Sequence, residues 1–125
     1  MEAQTYVKLL LSVLFFILVQ GSSQKCDLSS LQIQQTNLGK DPTNQFDTVF
    51  EVEVKNLCSC NLKSVFVHSQ GFATSVLVDP KVFRQQGTSY LVNDGQAIAS
   101  QSSVKFRYSW DHFFRMSPAS ILPEC

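Results

Sequence analysis

Missing from this sequence of 125 residues is any imbalance of charge: ten Asp and Glu stand against ten Lys and Arg. Without a basic stripe to neutralise phosphates, nucleic acid is not an expected partner. No stretch beyond residue 24 is apolar long enough to cross a bilayer, which takes roughly 20 residues, so no membrane span is expected there. Helical periodicity of any length, internal repeats and low-complexity tracts are absent as well, which leaves short strands as the building material. The two histidines, His68 and His112, have no Ser, Asp or Cys pattern near them that spells a nucleophile and its base. Asp111 and His112 are sequence neighbours, and neighbours on a strand point apart. There is no Asp-x-Asp metal motif, and Cys58-Ser59-Cys60 lacks the usual Cys-x-x-Cys spacing of a zinc site. Neither an enzyme nor a metal or other cofactor is expected. No Asn-x-Ser/Thr acceptor and no dibasic pair occurs, so neither N-glycosylation nor pro-peptide cleavage is indicated.

What is present begins with a leader. Lys8 supplies a positive start and Leu9 to Val19 an apolar run broken only by Ser12. Gly21, Ser22 and Ser23 then offer small residues for cleavage. Residues 1–24 therefore read as a secretory signal, with the mature chain beginning between about Ser22 and Lys25, and residues 25–125 as one domain of the extracellular space. All four cysteines, Cys26, Cys58, Cys60 and Cys125, lie in that domain. An even count in a small secreted chain implies two disulfides. Joining Cys58 to Cys60 would close a very small, strained ring. The two remaining pairings both tie Cys26 and Cys125 to the central pair, and each bridge would stabilise by about 4 kcal/mol.

Strand signals follow one another along the domain. Leu31-Gln32-Ile33-Gln34 alternates, predicting a strand near 28–35, and Thr36–Gln45, with Gly39 and Pro42, predicts an exposed loop. Thr48–Lys55 alternates most cleanly, with Phe50, Val52 and Val54 on one face and Glu51, Glu53 and Lys55 on the other. Leu62–His68 and Phe72–Val78 predict two more strands, the second stopped by Asp79-Pro80. Lys81–Arg84 predicts a short bend before a turn at Gly87. Asn93-Asp94-Gly95 predicts a tight hairpin between Tyr90-Leu91-Val92 and Gln96-Ala97-Ile98, since these residues tolerate positive φ. Val104–Tyr108 alternates, and Ala119–Leu122 makes a last strand between Pro118 and Pro123. The region from Val76 to Tyr108 thus reads as a β-meander. The whole reads as all-β: a small antiparallel sandwich of seven or eight short strands, stapled by disulfides.

At Leu77-Val78-Asp79-Pro80-Lys81-Val82-Phe83-Arg84 and Leu91-Val92-Asn93-Asp94-Gly95-Gln96 the chain resembles the plant tapetum determinant family. The similarity extends from Cys26 to Cys125, through Phe50-Glu51-Val52, Asn56-Leu57-Cys58, Gly71-Phe72 and the terminal cysteine. It implies a secreted, non-enzymatic ligand for the ectodomain of a leucine-rich-repeat receptor kinase, acting in the apoplast during anther cell differentiation. The family's founding members carry six cysteines, and two of those positions are here Ser69 and Tyr90. The loss of both together implies that they pair with each other in those relatives.

Two readings of a binding surface follow. For a receptor ligand the candidates are Phe83 and Arg84, an aromatic beside an arginine after a proline bend, with Asn93 and Asp94 at the neighbouring turn. The rival is a non-catalytic carbohydrate- or cell-wall-binding sandwich, for which Trp110, Phe113 and Phe114 would form an exposed aromatic face, unless they are core.

Overall fold

The structure, a computed structural model, describes residues 26–125; the leader read in residues 1–24 lies outside them. Among the described residues, seven strands form two antiparallel sheets. Strands β1 (Leu31–Lys40), β2 (Thr48–Asn56) and β6 (Ser103–Trp110) make a three-stranded sheet in the order β1-β2-β6. Strands β4 (Phe83–Gln86), β5 (Ser89–Val92), β3 (Asn61–His68) and β7 (Ser117–Glu124) make the second, in the order β4-β5-β3-β7.

The register of β2 against β6 shows why these sequences become this sandwich. Phe50, Val52 and Val54 face Tyr108, Phe106 and Val104 across the ladder on the inner side. The next positions pair opposite charges outside: Glu51 with Arg107 at 3.0 Å and Glu53 with Lys105 at 3.8 Å. These outer pairs are exposed and contribute about 0–1 kcal/mol each. The inner row does the stabilising, since burying one such apolar side chain is worth about 1.5–3 kcal/mol. Leu62, Val65 and Val67 of β3 and Val92 of β5 close the core from the other sheet, all fully buried. Pro118 and Pro123 sit in β7, an edge strand, where a missing N–H breaks no ladder on the open side.

Several segments depart from the sequence expectation. Strand β1 runs on through the predicted loop to Lys40, because β2 is long enough to pair with it; a bulge at Leu38 and Gly39, with φ +95° at Gly39, absorbs the extra length. Phe72–Val78 is not a strand. It has no ladder partner, and Leu77 stands out in solvent at 95% exposure. The predicted bend at 81–84 instead opens β4, and the true hairpin is β4–β5, closed over Gly87-Thr88 with φ +67° at Gly87. Asn93–Gly95 does adopt three successive positive φ angles (+58°, +55°, +75°), yet it forms a single 3-10 turn rather than a hairpin. That turn sends the chain away from β5. Ile98 bridges to Leu62 of β3, and β6 then joins the opposite sheet, so the meander does not form.

The two ends of the sandwich differ. At one end Leu31 pairs with Asn56 and Asn61 with Glu124, and both disulfides, Cys26–Cys58 and Cys60–Cys125, lie there. At the other end Lys40 meets Thr48, Thr48 meets Trp110, and His68 meets Ser117. The long connections 41–47, 69–82 and 111–116 gather at this end.

Candidate functional site

Loop 69–82 is anchored by one ring. Phe72 packs edge-on against Phe83, Tyr90, Tyr108 and Phe114, with centroids 5.2–5.5 Å apart, an arrangement the aromatic quadrupole favours. Further along, Ser75 donates its backbone N–H to the Ser109 carbonyl and its hydroxyl to Asp47 at 2.6 Å. Thus held, the loop forms one wall of a groove of about 430 Å³ whose floor is the β4–β5 hairpin. Leu77, Val78, Arg84, Gln85 and Tyr90 line it.

Of the residues expected at a partner surface, Phe83 must be reassigned. It is 3% exposed, stacked on Tyr90 at 4.8 Å and on Phe106 at 4.3 Å. Strand β4 places it on the inner face, so it supports the groove from beneath. Alternation puts Arg84 on the outer face. Its guanidinium donates to the Asp94 carboxylate at 2.6 Å and to the Pro80 carbonyl at 3.1 Å. The left-handed turn at 93–95 aims Asp94 at this arginine, and the Asn93 amide holds the turn by donating to the carbonyls of Gln96 and Ala97. Arg84 and Asp94 therefore form one exposed, preformed charge pair at the groove, while Asn93 shapes the backbone under it.

The other candidates separate. Phe114 is buried, Trp110 is half-buried and Phe113 is 60% exposed, so the three do not make one flat aromatic face. His112 and Asp111, expected to diverge, instead contact each other at 2.5 Å because the strand has ended at Trp110. Both are exposed. All four cysteine sulfurs are engaged in the two disulfides, so none is a thiolate available to a metal. Beneath the Cys58-Ser59-Cys60 turn lies Asn56, fully buried, whose amide donates to the carbonyls of Cys60 (2.8 Å) and Ile98 (2.9 Å) and accepts from the Cys58 N–H (2.8 Å).

Buried polar groups hold the loop end. Asp41, 5% exposed, accepts from the Ser109 hydroxyl at 2.6 Å and from the Thr43 N–H and hydroxyl. These bonds, the serine's above all, hold its carboxyl down at about 2. Burial pushes the Tyr108 phenol up. Sequence reasoning passed over Phe72 as an anchor and Leu77 as an exposed knob; the Gly71-Phe72 step was the one local hint, since Gly71, at φ +74°, turns the ring inward.

The sequence matches the family Tapetum determinant 1, C-terminal, over residues 27–125, nearly all of the described domain. The chain belongs to the tapetum determinant family. It is 35% identical over 75 residues to TPD1 protein homolog 1 of Arabidopsis thaliana, a match covering 58% of this chain and 42% of that relative. A second relative from Arabidopsis thaliana, Uncharacterized protein At1g05835, is 33% identical over 124 residues, covering 94% of each. No solved structure matches the chain.

Proposed function

We propose that this tapetum determinant protein is a secreted, non-enzymatic signalling ligand for a leucine-rich-repeat receptor kinase, acting in the apoplast in anther cell differentiation. The observation that carries the reading is the family match across residues 27–125, which takes in essentially the whole of the described chain. The architecture supports it. A sandwich stapled at one end offers rigid loops at the other, and a preorganised surface loses little entropy on binding. The concave face of a solenoid suits contact with such loops. The contact we assign is the groove beside β4–β5, with Arg84, Asp94, Gln85 and Leu77 facing the partner and Asn93 and Phe83 holding them in place.

The test is binding of the oxidised mature domain to a panel of leucine-rich-repeat receptor ectodomains, with Arg84→Glu as the probe. That change breaks an exposed ion pair worth about 0–1 kcal/mol, so the melting temperature stays nearly constant. Affinity for the cognate ectodomain should fall at least about tenfold, or about 1.4 kcal/mol. Unchanged binding would remove the groove from the interface. Tight, saturable binding to a cell-wall glycan, with none to any ectodomain, would replace the ligand reading with the carbohydrate-binding one.

A further inference from the structure

The strap joining β6 to β7 holds an arginine in an unusual position. Phe114 turns inward, packing against Phe72 and Tyr108. Both of its backbone groups are tied to the three-stranded sheet: its N–H donates to the Tyr108 hydroxyl at 3.1 Å, and its carbonyl accepts from the Gln35 amide at 2.6 Å. Tyr108 donates in turn to Gln35 at 2.5 Å. With Phe114 clamped inward, its neighbours Phe113 and Arg115 stand outward, and both are exposed. Phe113 then forms one wall of a groove of about 470 Å³ against Ile33, Phe50 and Met116, with Arg115 and Asn37 at its polar margin. Arg115 also lines a neighbouring recess of about 360 Å³ with His68, Gln70 and Ser117.

Arg84 is paired with Asp94 and Arg107 with Glu51, whereas no acidic side chain among the described residues pairs with Arg115. An exposed guanidinium between an apolar groove and a recess of polar side chains is open to an anion from another molecule. Guanidinium prefers a carboxylate held in a two-pronged geometry, and a methionine wall adapts to varied apolar groups. We propose that this face docks a peptide segment of a partner protein in which a carboxylate side chain neighbours an aromatic or branched apolar one. The carboxylate forks onto Arg115, and the apolar side chain enters the groove against Phe113 and Met116. His68, Gln70 and Ser117 stand ready for polar groups of the same segment. The proposal rests on the reading of this domain as a module that binds protein, and adds a contact separate from Arg84.

The experiment is a titration of isotope-labelled mature domain, followed by amide NMR, with three probes: a blocked pentapeptide carrying Phe beside Glu, the same peptide with Lys for Glu, and 3-phenylpropionate. Saturable shifts confined to Ile33, Asn37 and residues 113–117 are expected with the Glu peptide, and none with the Lys peptide. Arg115→Glu and Phe113→Ala should each weaken the Glu peptide at least about tenfold at unchanged melting temperature. Shifts that are absent, that map elsewhere or that ignore the Glu-to-Lys change overturn the proposal. Equal affinity for 3-phenylpropionate overturns the peptide assignment in favour of a small-molecule site. An ectodomain bound equally well by wild type and Arg115→Glu also sinks the proposal and leaves the receptor reading standing. The Glu peptide bound here by a domain that recognises no ectodomain does the reverse.

Discussion

Asn56→Asp is the substitution that most directly tests how the stapled end is built. The change keeps the shape of a fully buried side chain and its acceptor toward the Cys58 N–H. It replaces the NH2 group with an oxygen facing the carbonyls of Cys60 and Ile98, at 2.8 and 2.9 Å. An ionised carboxylate there would repel both. To fold, the new acid must stay protonated, and at neutral pH that costs about 4 kcal/mol, from roughly three units above an ordinary value near 3.9. Protonated, it donates to only one of the two carbonyls, and because the Ile98 carbonyl still accepts from the Leu62 N–H, the second bond is lost at about 1 kcal/mol. The sum of about 5 kcal/mol rivals the whole stability of a small domain, about 5–15 kcal/mol. The sign follows from linkage: the folded pKa lies above the unfolded one, so the ionisation penalty is absent below about pH 4 and grows as pH rises. Urea unfolding of wild type and variant, with disulfides intact, should show a wide gap near neutral pH that narrows toward about pH 4. A gap under about 2 kcal/mol at neutrality, set against a single lost hydrogen bond at about 1 kcal/mol, would refute this account. So would a gap that is flat with pH.

Three further outcomes are expected. Ser69→Ala should be neutral or stabilising by up to about 1 kcal/mol, because the Ser69 hydroxyl is buried without a partner; a loss of more than about 1 kcal/mol in thermal unfolding would contradict it. Cys125→Ser should cost about 2–5 kcal/mol and, with the sulfurs of Cys26, Cys60 and Cys125 within 4.8 Å of one another, leave a Cys60 thiol that exchanges into the Cys26–Cys58 bridge. Peptide mapping should find Cys60 in a new disulfide, and a stable free Cys60 beside an intact Cys26–Cys58 would count against exchange. Asp41, held at about 2 in the folded domain, contributes stability that is full above the ordinary carboxylate range and lost as pH falls through that value. The stability gap between wild type and Asp41→Asn should therefore stay level from neutrality to about pH 4 and then close, and a gap that widens on acidification would overturn the assignment.

The all-β class and the strands with one wet face were legible because alternation records burial directly. Phe50-Glu51-Val52-Glu53-Val54 reads as it folds, and so does Val104–Tyr108. The cysteine count was equally informative about the stapled end, although spacing alone left two pairings open, and only the fold selects Cys26–Cys58 and Cys60–Cys125. What failed was the region from 72 to 98. Val76-Leu77-Val78 has strand composition, but a strand also needs a free edge in register, and no ladder reaches it. Asn93-Asp94-Gly95 carries positive φ as its residues suggest, yet the same dihedrals serve a hairpin or a turn that leaves the sheet. Leu62, by pairing with Ile98, decides between them, and that contact is invisible in a local window. Arg84 does face outward, while Phe83 was misplaced because an aromatic next to an arginine says nothing about which of the two faces inward.

Ser69 and Tyr90 connect stability to the groove. Tyr90 pairs with Val67 on the adjacent strand, two residues from Ser69, so both positions lie where β3 and β5 meet. A disulfide there would act largely by restricting the unfolded chain. Tyr90 acts instead within the folded state, stacking on Phe83 and meeting Phe72 edge-on at 5.4 Å. Such pairs add about 0.5–1.5 kcal/mol each beyond area burial, so two of them recover part of what a staple would provide. Ser69 shows the other half of the exchange: its site is sealed at 4% exposure but offers the hydroxyl no partner, an environment that suits sulfur better than oxygen. Because the Tyr90 ring also lines the groove beside Arg84, exchanging a cysteine for this tyrosine alters the core and the groove surface in one step. Under the ligand reading we propose, receptor preference is expected to follow the residue at position 90 as closely as it follows the charges around it.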